Sequence, residues 1–178
     1  MKTVFVDVDT QLDFLYPAGA LYVPGAERIV PAIAKLNRFA GAHGIPVIST
    51  ADAHAENDPE FSHWPPHCVA GTWGQRKPQA TLLEGAQQIL VEKQTMDVFQ
   101  APSFRRVIEA LGADRFVVYG VVTEICVLFA ARGLLKMGHS VTIVTDAVKE
   151  LTALGLRQAL DEMSTAGAKL ATVSEICA

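Results

Sequence analysis

The sequence predicts an α/β protein, a Rossmann-like three-layer sandwich built on a six-stranded parallel sheet. Two observations predict it. Short apolar runs rich in β-branched residues alternate with longer segments whose apolar residues recur at helical spacing, and several of those segments stop at a glycine. Strands that are apolar throughout belong to a sheet covered on both faces, the arrangement that alternating strands and helices produce. The 178 residues, 50% apolar and 19% charged, suffice for one substantial core, so residues 1–178 are expected to form one domain.

Thr3–Val8 reads as the first strand. The segment after it, through Gly25, carries Asp9, Asp13 and Phe14 among prolines and glycines and reads as a functional loop. From Glu27 to His43, the residues Ile29, Val30, Ile33, Leu36, Phe39 and Ala40 mark one helix face, with Gly44 as the stop. Ile45–Thr50 reads as the second strand. Residues 51–80 are a long polar stretch, and so long a loop in a compact domain is uncommon unless it has a function. Gln88–Glu92 is the third strand, Ser103 is placed to cap a helix ending at Leu111 before Gly112, and Arg115–Tyr119 is the fourth strand. A helix from Glu124 to Met137 stops at Gly138, and Ser140–Val144 follows as the fifth strand. Thr152 caps a helix to Ala166, and Lys169–Val173 closes the sheet.

A formal net charge of −4 with no lysine or arginine stripe argues against nucleic acid and for a small-molecule partner. Three cysteines, Cys68, Cys126 and Cys177, are too few for a disulfide framework and fit a reducing cytoplasm. Asp7 and Asp9 interrupt what would have to be the apolar stretch of an export signal. No apolar run approaches the roughly 20 residues of a spanning helix, so no membrane partner is expected.

The reactive side chains fall where strands end, the edge at which parallel sheets bind ligands. Asp9 follows strand one, Asp52 and His54 follow strand two, Lys93 ends strand three, and Cys126 stands after strand four near a helix start. Thiols are mostly protonated at neutral pH, and a helix N-terminus with a nearby cation, here Lys93, favours the thiolate. Asp9 is suited to take the thiol proton and return it to a departing amine. Backbone N–H groups at Val122 and Cys126 would hold the oxyanion of a tetrahedral intermediate. Asp52, His54 and His67 have the residue types of a divalent-metal site with open positions. Phe14, Trp64 and Phe99 lie on the same loops and offer walls for a planar ring. Asp13 reads as a structural anchor of the first loop, and Cys68 and Cys177 as ordinary buried thiols.

Five blocks carry a resemblance that runs nearly end to end: VDTQLDF from Val8, PAGALYVPGAE from Pro17, TADAHAEN from Thr50 with WPPHCVAGT from Trp64, VEKQ around Lys93, and GVVTEICV from Gly120. They resemble the nicotinamidase and isochorismatase-like cysteine hydrolases. The resemblance implies the same α/β sandwich and a catalytic set of Asp9, Lys93 and Cys126. It also implies metal ligation by Asp52, His54 and His67, by zinc or else iron or manganese, and ring packing by Phe14 and Trp64. An unusual cis bond at Val121–Val122, a homo-oligomeric state and a small amide substrate such as nicotinamide follow on the same footing. Three departures fall around the pocket. QTMDVFQAPSF after Lys93 replaces a Tyr-Ser-Gly-Phe type of segment, Trp73 stands where proline is usual, and Asp58 with nearby Glu60 replaces another histidine.

Two other classes compete. Asp7-x-Asp9 after a strand has the look of a haloacid dehalogenase-type phosphatase, but Gln11 stands where that pattern needs Thr or Val, and no later paired aspartates follow. The second is a non-catalytic relative that binds a ligand or a carrier partner with the same fold; within the hydrolase reading itself, an N-carbamoyl compound or another small substrate stays open. Intact Asp9, Lys93 and Cys126 argue against the non-catalytic form.

Overall fold

The structure, a computed structural model, describes residues 2–83 and 88–178. Thr3–Val8 forms β1, Val47–Asp52 β2, Gln88–Lys93 β3, Arg115–Val121 β4, Ser140–Lys149 β5 and Lys169–Ala171 β6. Every pairing is parallel, and the order across the sheet is β3-β2-β1-β4-β5-β6. The six-stranded parallel sheet expected from the sequence is therefore the sheet that forms. Val4, Phe5, Val6 and Val8 of the central β1 are buried, as a strand covered on both faces requires.

The chain crosses the sheet in one direction from β1 to β3, then returns past β1 to β4 and continues the other way. Right-handed crossovers accordingly put α2 (Val30–Ala42) on one face and α3 (Pro102–Leu111), α4 (Leu128–Lys136) and α5 (Ala153–Thr165) on the other. Packing of α2 against the terminal α6 (Val173–Ile176), and of α4 against α5, fills the two outer layers. The reversal lies between β1 and β4, and a crevice opens beyond the carboxyl ends of strands that diverge in this way. Asp9 and Cys126 come directly after those two strands. No helix among the described residues is long and apolar enough to cross a membrane.

Several element ends differ from the sequence expectation, each for a local reason. Ile45 donates its N–H to Ala40 O at 2.9 Å and so belongs to the exit of α2; β2 starts at Val47 and runs on to Asp52, in register with Lys93 of β3. The helix expected from Glu27 opens as a 3-10 turn, Ala26–Ile29, before Val30. Ser103 is not a cap. Pro102 takes the first helical position, where its missing N–H costs nothing, and Ala101 precedes it without a side-chain cap. Part of the expected first loop is a short helix, α1 (Leu12–Leu15), and β5 extends to Lys149 past the expected Val144. The last strand stops at Ala171 because Thr172 and Glu175 form a capping box that starts α6.

Gly120 lets β4 lie against β1. Its φ is +120°, and a Cβ there would stand 2.1 Å from the Val8 carbonyl oxygen. A side chain would both strain the backbone and push β4 off the strand that delivers Asp9. Gly120→Ala is expected to cost more than about 2 kcal/mol, read as a lowered midpoint in denaturant unfolding; a stability within experimental error of the parent would contradict this account.

Candidate active site

Lys93 is the hub of the buried charges beside Cys126. Its Nζ lies 2.9 Å from Asp9 Oδ2, closer still to Asp52 Oδ1, and 3.9 Å from Cys126 Sγ. Asp9 reaches this position from a left-handed backbone conformation, φ +50°, that turns the chain out of β1. Its N–H donates to Thr50 O at 3.2 Å, and its Oδ1 accepts the Thr50 hydroxyl at 2.6 Å. Asp9 Oδ2 is buried and faces the Lys93 ammonium as an ion pair, with no aligned hydrogen-bond donor. That oxygen is free to accept a proton.

Burial lowers the basicity of an isolated amine, but Asp9, Cys126 and Asp52 together hold the Lys93 ammonium well above the usual lysine range, so it stays charged. Burial raises the Asp9 carboxyl, with Lys93 pulling against it and Asp52 adding to it. Asp52 also loses water, yet Lys93 and His54 keep its carboxyl below the usual range. The Cys126 thiol departs from the sequence expectation. Burial pushes it well above the ordinary thiol value; Lys93 opposes this, and Asp9 and Asp52 reinforce it. The helix start is also displaced. Thr123–Val127 is a widened turn in which Val127 N–H reaches back to Val122 O at 3.1 Å, and α4 begins only at Leu128. Cys126 therefore lies ahead of the regular helix and is only half-buried, exposed where it lines the cavity.

The three sequence-predicted metal residues converge. Asp52 Oδ2 is 3.8 Å from His54 Nε2 and 3.9 Å from His67 Nε2, and the potential ligand atoms of the three all lie within 4.8 Å of one another. The outer nitrogens have neighbours behind them: His54 Nδ1 lies 3.0 Å from Asp58 Oδ2 as an ion-pair contact, and His67 Nδ1 is 2.7 Å from Pro65 O. Both His54 ring nitrogens are buried without an aligned hydrogen-bond partner, and Nε2 is the one that stands beside Asp52 in the cluster, an orphaned nitrogen there. Such an orphan is what a cation would satisfy, so the residues fit a divalent ion. Burial works against a charged His54, but Asp52 and Asp58 outweigh it and raise its pKa to about 9. Glu60, left open in the sequence, adds a carboxylate oxygen 3.9 Å from His67 Nε2. Asp58, standing where another histidine is usual, is a support for His54, not a neighbour of the central atoms.

A cavity of about 70 Å³ joins the two groups, lined by Asp9, Asp52, Glu60 and His67 on its polar side and by Cys126 and Val122 at the nucleophile turn. The Val121–Val122 peptide is cis. Phe14 and Trp64 line the cavity, and Phe14 also packs on the His67 ring at a centroid distance of 5.4 Å. Phe99 does not line it. A 3-10 turn, Val98–Gln100, capped by Asp97 through the Phe99 N–H, turns that ring away to Phe104 and into the space left by Gly133. From the same segment Met96 reaches the cavity instead, joined by Leu21, Tyr22, Ile125 and Leu151, apolar loop residues with no periodic signal to mark them.

Two polar residues of the first loop build the frame. Gln11 is fully buried; its Nε2 donates to Asp52 O and Gln75 O, both at 2.8 Å, and its Oε1 accepts Asp52 N–H at 2.7 Å. Asp13 accepts Ala20 N–H at 2.9 Å and Cys68 N–H at 2.8 Å, the anchoring role read from the sequence. Gly74 has to be a glycine here, since a Cβ would sit 2.1 Å from the Asp13 carboxylate.

Comparison with known proteins gives one family. The isochorismatase domain model matches residues 3–175. The chain is 26% identical to the nicotinamidase of Escherichia coli over 200 residues, covering 94% of this chain and 93% of that one. It superposes on the zinc complex of Pyrococcus horikoshii pyrazinamidase with a TM-score of 0.89 at 29% identity, covering 97% of this chain and 99% of that one. It superposes on N-carbamoylsarcosine amidase from Thermoplasma acidophilum with a TM-score of 0.86 at 25% identity, covering 97% of each.

Proposed function

The chain belongs to the isochorismatase family of hydrolases, and from that premise we propose that it cleaves a small neutral amide, nicotinamide or a similar planar aromatic amide, to the acid and ammonia through a thioester on Cys126. The observation that carries this reading is the convergence of Asp9 and Cys126 on the single Lys93 ammonium at the edge of the cavity.

In this mechanism Asp9 takes the thiol proton as Sγ bonds to the amide carbon. A thiol pushed up by burial needs a strong base, and the same burial strengthens the Asp9 carboxylate as one. Lys93 stabilises the negative charge as it passes between sulfur and carboxylate. The carbonyl oxygen gains charge beside the backbone N–H groups of Val122 and Cys126. Asp9 then protonates the leaving nitrogen, the C–N bond breaks, and ammonia departs. Water, deprotonated by Asp9, attacks the thioester; the acid leaves and the proton returns to Cys126.

Asp52, His54 and His67, with Glu60 beside them, would hold a divalent ion, zinc being the first choice for this nitrogen-and-oxygen set. Bound there, the ion supplies positive charge and an open position for a water or a substrate heteroatom. Metal analysis of protein reconstituted with zinc and desalted is expected to find about one ion per chain, and His54→Ala or His67→Ala to lose it. Equal occupancy in the variants would remove the site from this cluster.

The substrate reading rests on charge and shape. The cavity offers Asp9, Asp52 and Glu60 but no arginine or lysine among its described lining residues, so apart from the ion itself no lysine or arginine there offers a substrate carboxylate a counter-charge. Phe14 and Trp64 suit a flat ring. Ammonia release from nicotinamide, benzamide and an N-carbamoyl amino acid, each with and without zinc, tests this. Nicotinamide is expected to lead the carbamoyl compound by at least tenfold in kcat/KM. The reverse order in metal-loaded enzyme would transfer the assignment to the N-carbamoyl class.

A further inference from the structure

Glu124 stands two residues before Cys126 in the widened turn, and its side chain crosses to the opposite wall of the crevice. Its Oε1 accepts the N–H groups of Leu151 and Thr152, each at 3.0 Å. These residues lead into α5, whose first turn Thr152 caps by accepting Gly155 N–H at 2.9 Å. Gly155 makes room for the carboxylate: a Cβ there would lie 2.5 Å from Glu124 Oε1. Leu151 in turn lines the same cavity as Cys126. One carboxylate thus fastens the turn that carries the sulfur to the wall against which a substrate would rest. The N-terminal end of a 13-residue helix favours a negative group at that place.

We propose that Glu124 is a positioning residue for the reaction, holding Cys126 Sγ at the approach distance to a substrate carbonyl that rests against Leu151. The proposal deepens the amidase reading and rests on it. Attack geometry is steep in distance, and a misplacement of about 1 Å costs on the order of 100-fold in rate. Glu124→Ala frees the turn from the wall. Glu124→Gln keeps an oxygen acceptor for both N–H groups, although Oε2, buried without a partner, would become an amide nitrogen equally unpartnered, so its rescue is incomplete.

The test compares Glu124→Ala, Glu124→Gln and Gly155→Ala with the parent, measuring kcat and KM for nicotinamide, the rate at which iodoacetamide alkylates Cys126 without substrate, and the thermal midpoint. Glu124→Ala is expected to lower kcat by about 30-fold with KM changed less than about threefold, and to change the alkylation rate; Glu124→Gln should recover to within about fivefold of the parent kcat. Gly155→Ala displaces the carboxylate with its methyl while also crowding the Thr152 hydroxyl that caps α5, so it should lower kcat and the midpoint together and change the alkylation rate as Glu124→Ala does. Parent-like kcat and alkylation in Glu124→Ala, with only a lower midpoint, would reduce Glu124 to a helix cap and overturn the proposal. So would equal losses in Glu124→Gln and Glu124→Ala. If the parent hydrolyses none of the amides, the amidase reading fails, and the alkylation rates still decide whether Glu124 sets the position of Cys126.

Discussion

Cys126→Ala is expected to abolish amide hydrolysis, lowering kcat by on the order of 10⁴-fold or more, while the protein folds as before. The loss is large because Sγ is the atom that bonds to substrate in the proposed scheme, and neighbouring groups cannot replace a nucleophile. The structural cost is small. Cys126 is half-buried in a turn ahead of α4, and removing one sulfur there opens little space, so stability should change by less than about 1.5 kcal/mol. Cys126→Ser keeps the shape and the proton but offers an alcohol in place of a thiol and should be nearly as inactive. Turnover within tenfold of the parent in either variant, with ammonia as the readout, would refute the thioester mechanism.

Lys93→Met carries the second large effect, on activity and stability together. Methionine fills much of the space but leaves Asp9 and Asp52, both buried, facing each other without the ammonium. Breaking a buried ion pair from one side costs about 3–5 kcal/mol. The loss should depend on pH in a definite direction. Without Lys93 the Asp9 carboxyl, already raised by burial, loses the charge that opposes that rise and titrates higher still in the folded chain, so the folded form binds a proton the unfolded form has released. Such a group gives its stabilisation below the unfolded value of about 4 and loses it as pH rises through the folded one. Denaturant unfolding of Lys93→Met should therefore lie nearer the parent at pH 5 than at pH 8. A pH-independent difference would mean that Lys93 is not the counter-charge of this pair.

The sheet was legible because buried parallel strands are apolar without interruption, and the ends of β1, β2, β3 and β4 place Asp9, Asp52, Lys93 and Cys126 along one edge by topology alone. What the sequence hid was set by local backbone geometry. The segment after Lys93 showed an aromatic at Phe99, but a 3-10 turn sends that ring into the α3–α4 packing and brings Met96 to the cavity. Cys126 looked like the first turn of a helix, whereas a widened turn delays α4 to Leu128 and burial pushes the thiol up. Gln11 carried no signal beyond its spacing from Asp9. Its reach to both backbone groups of Asp52 exists only once β1 and β2 pair.

The two oxygens of Asp52 face different neighbours, Oδ1 the Lys93 ammonium and Oδ2 the imidazoles of His54 and His67. Under the proposed reading Asp52 serves both the ion and the counter-charge of the nucleophile, so the effects of Asp52 and Lys93 changes are expected not to add. Asp58 and Glu60 touch only the histidine side of the cluster. Asp58 contacts His54 from behind, so under the proposed reading it is the position at which the surroundings of the ion can change with the Asp52–Lys93 pair left in place, whereas Glu60 feels the charges of Asp52 and Lys93 as well.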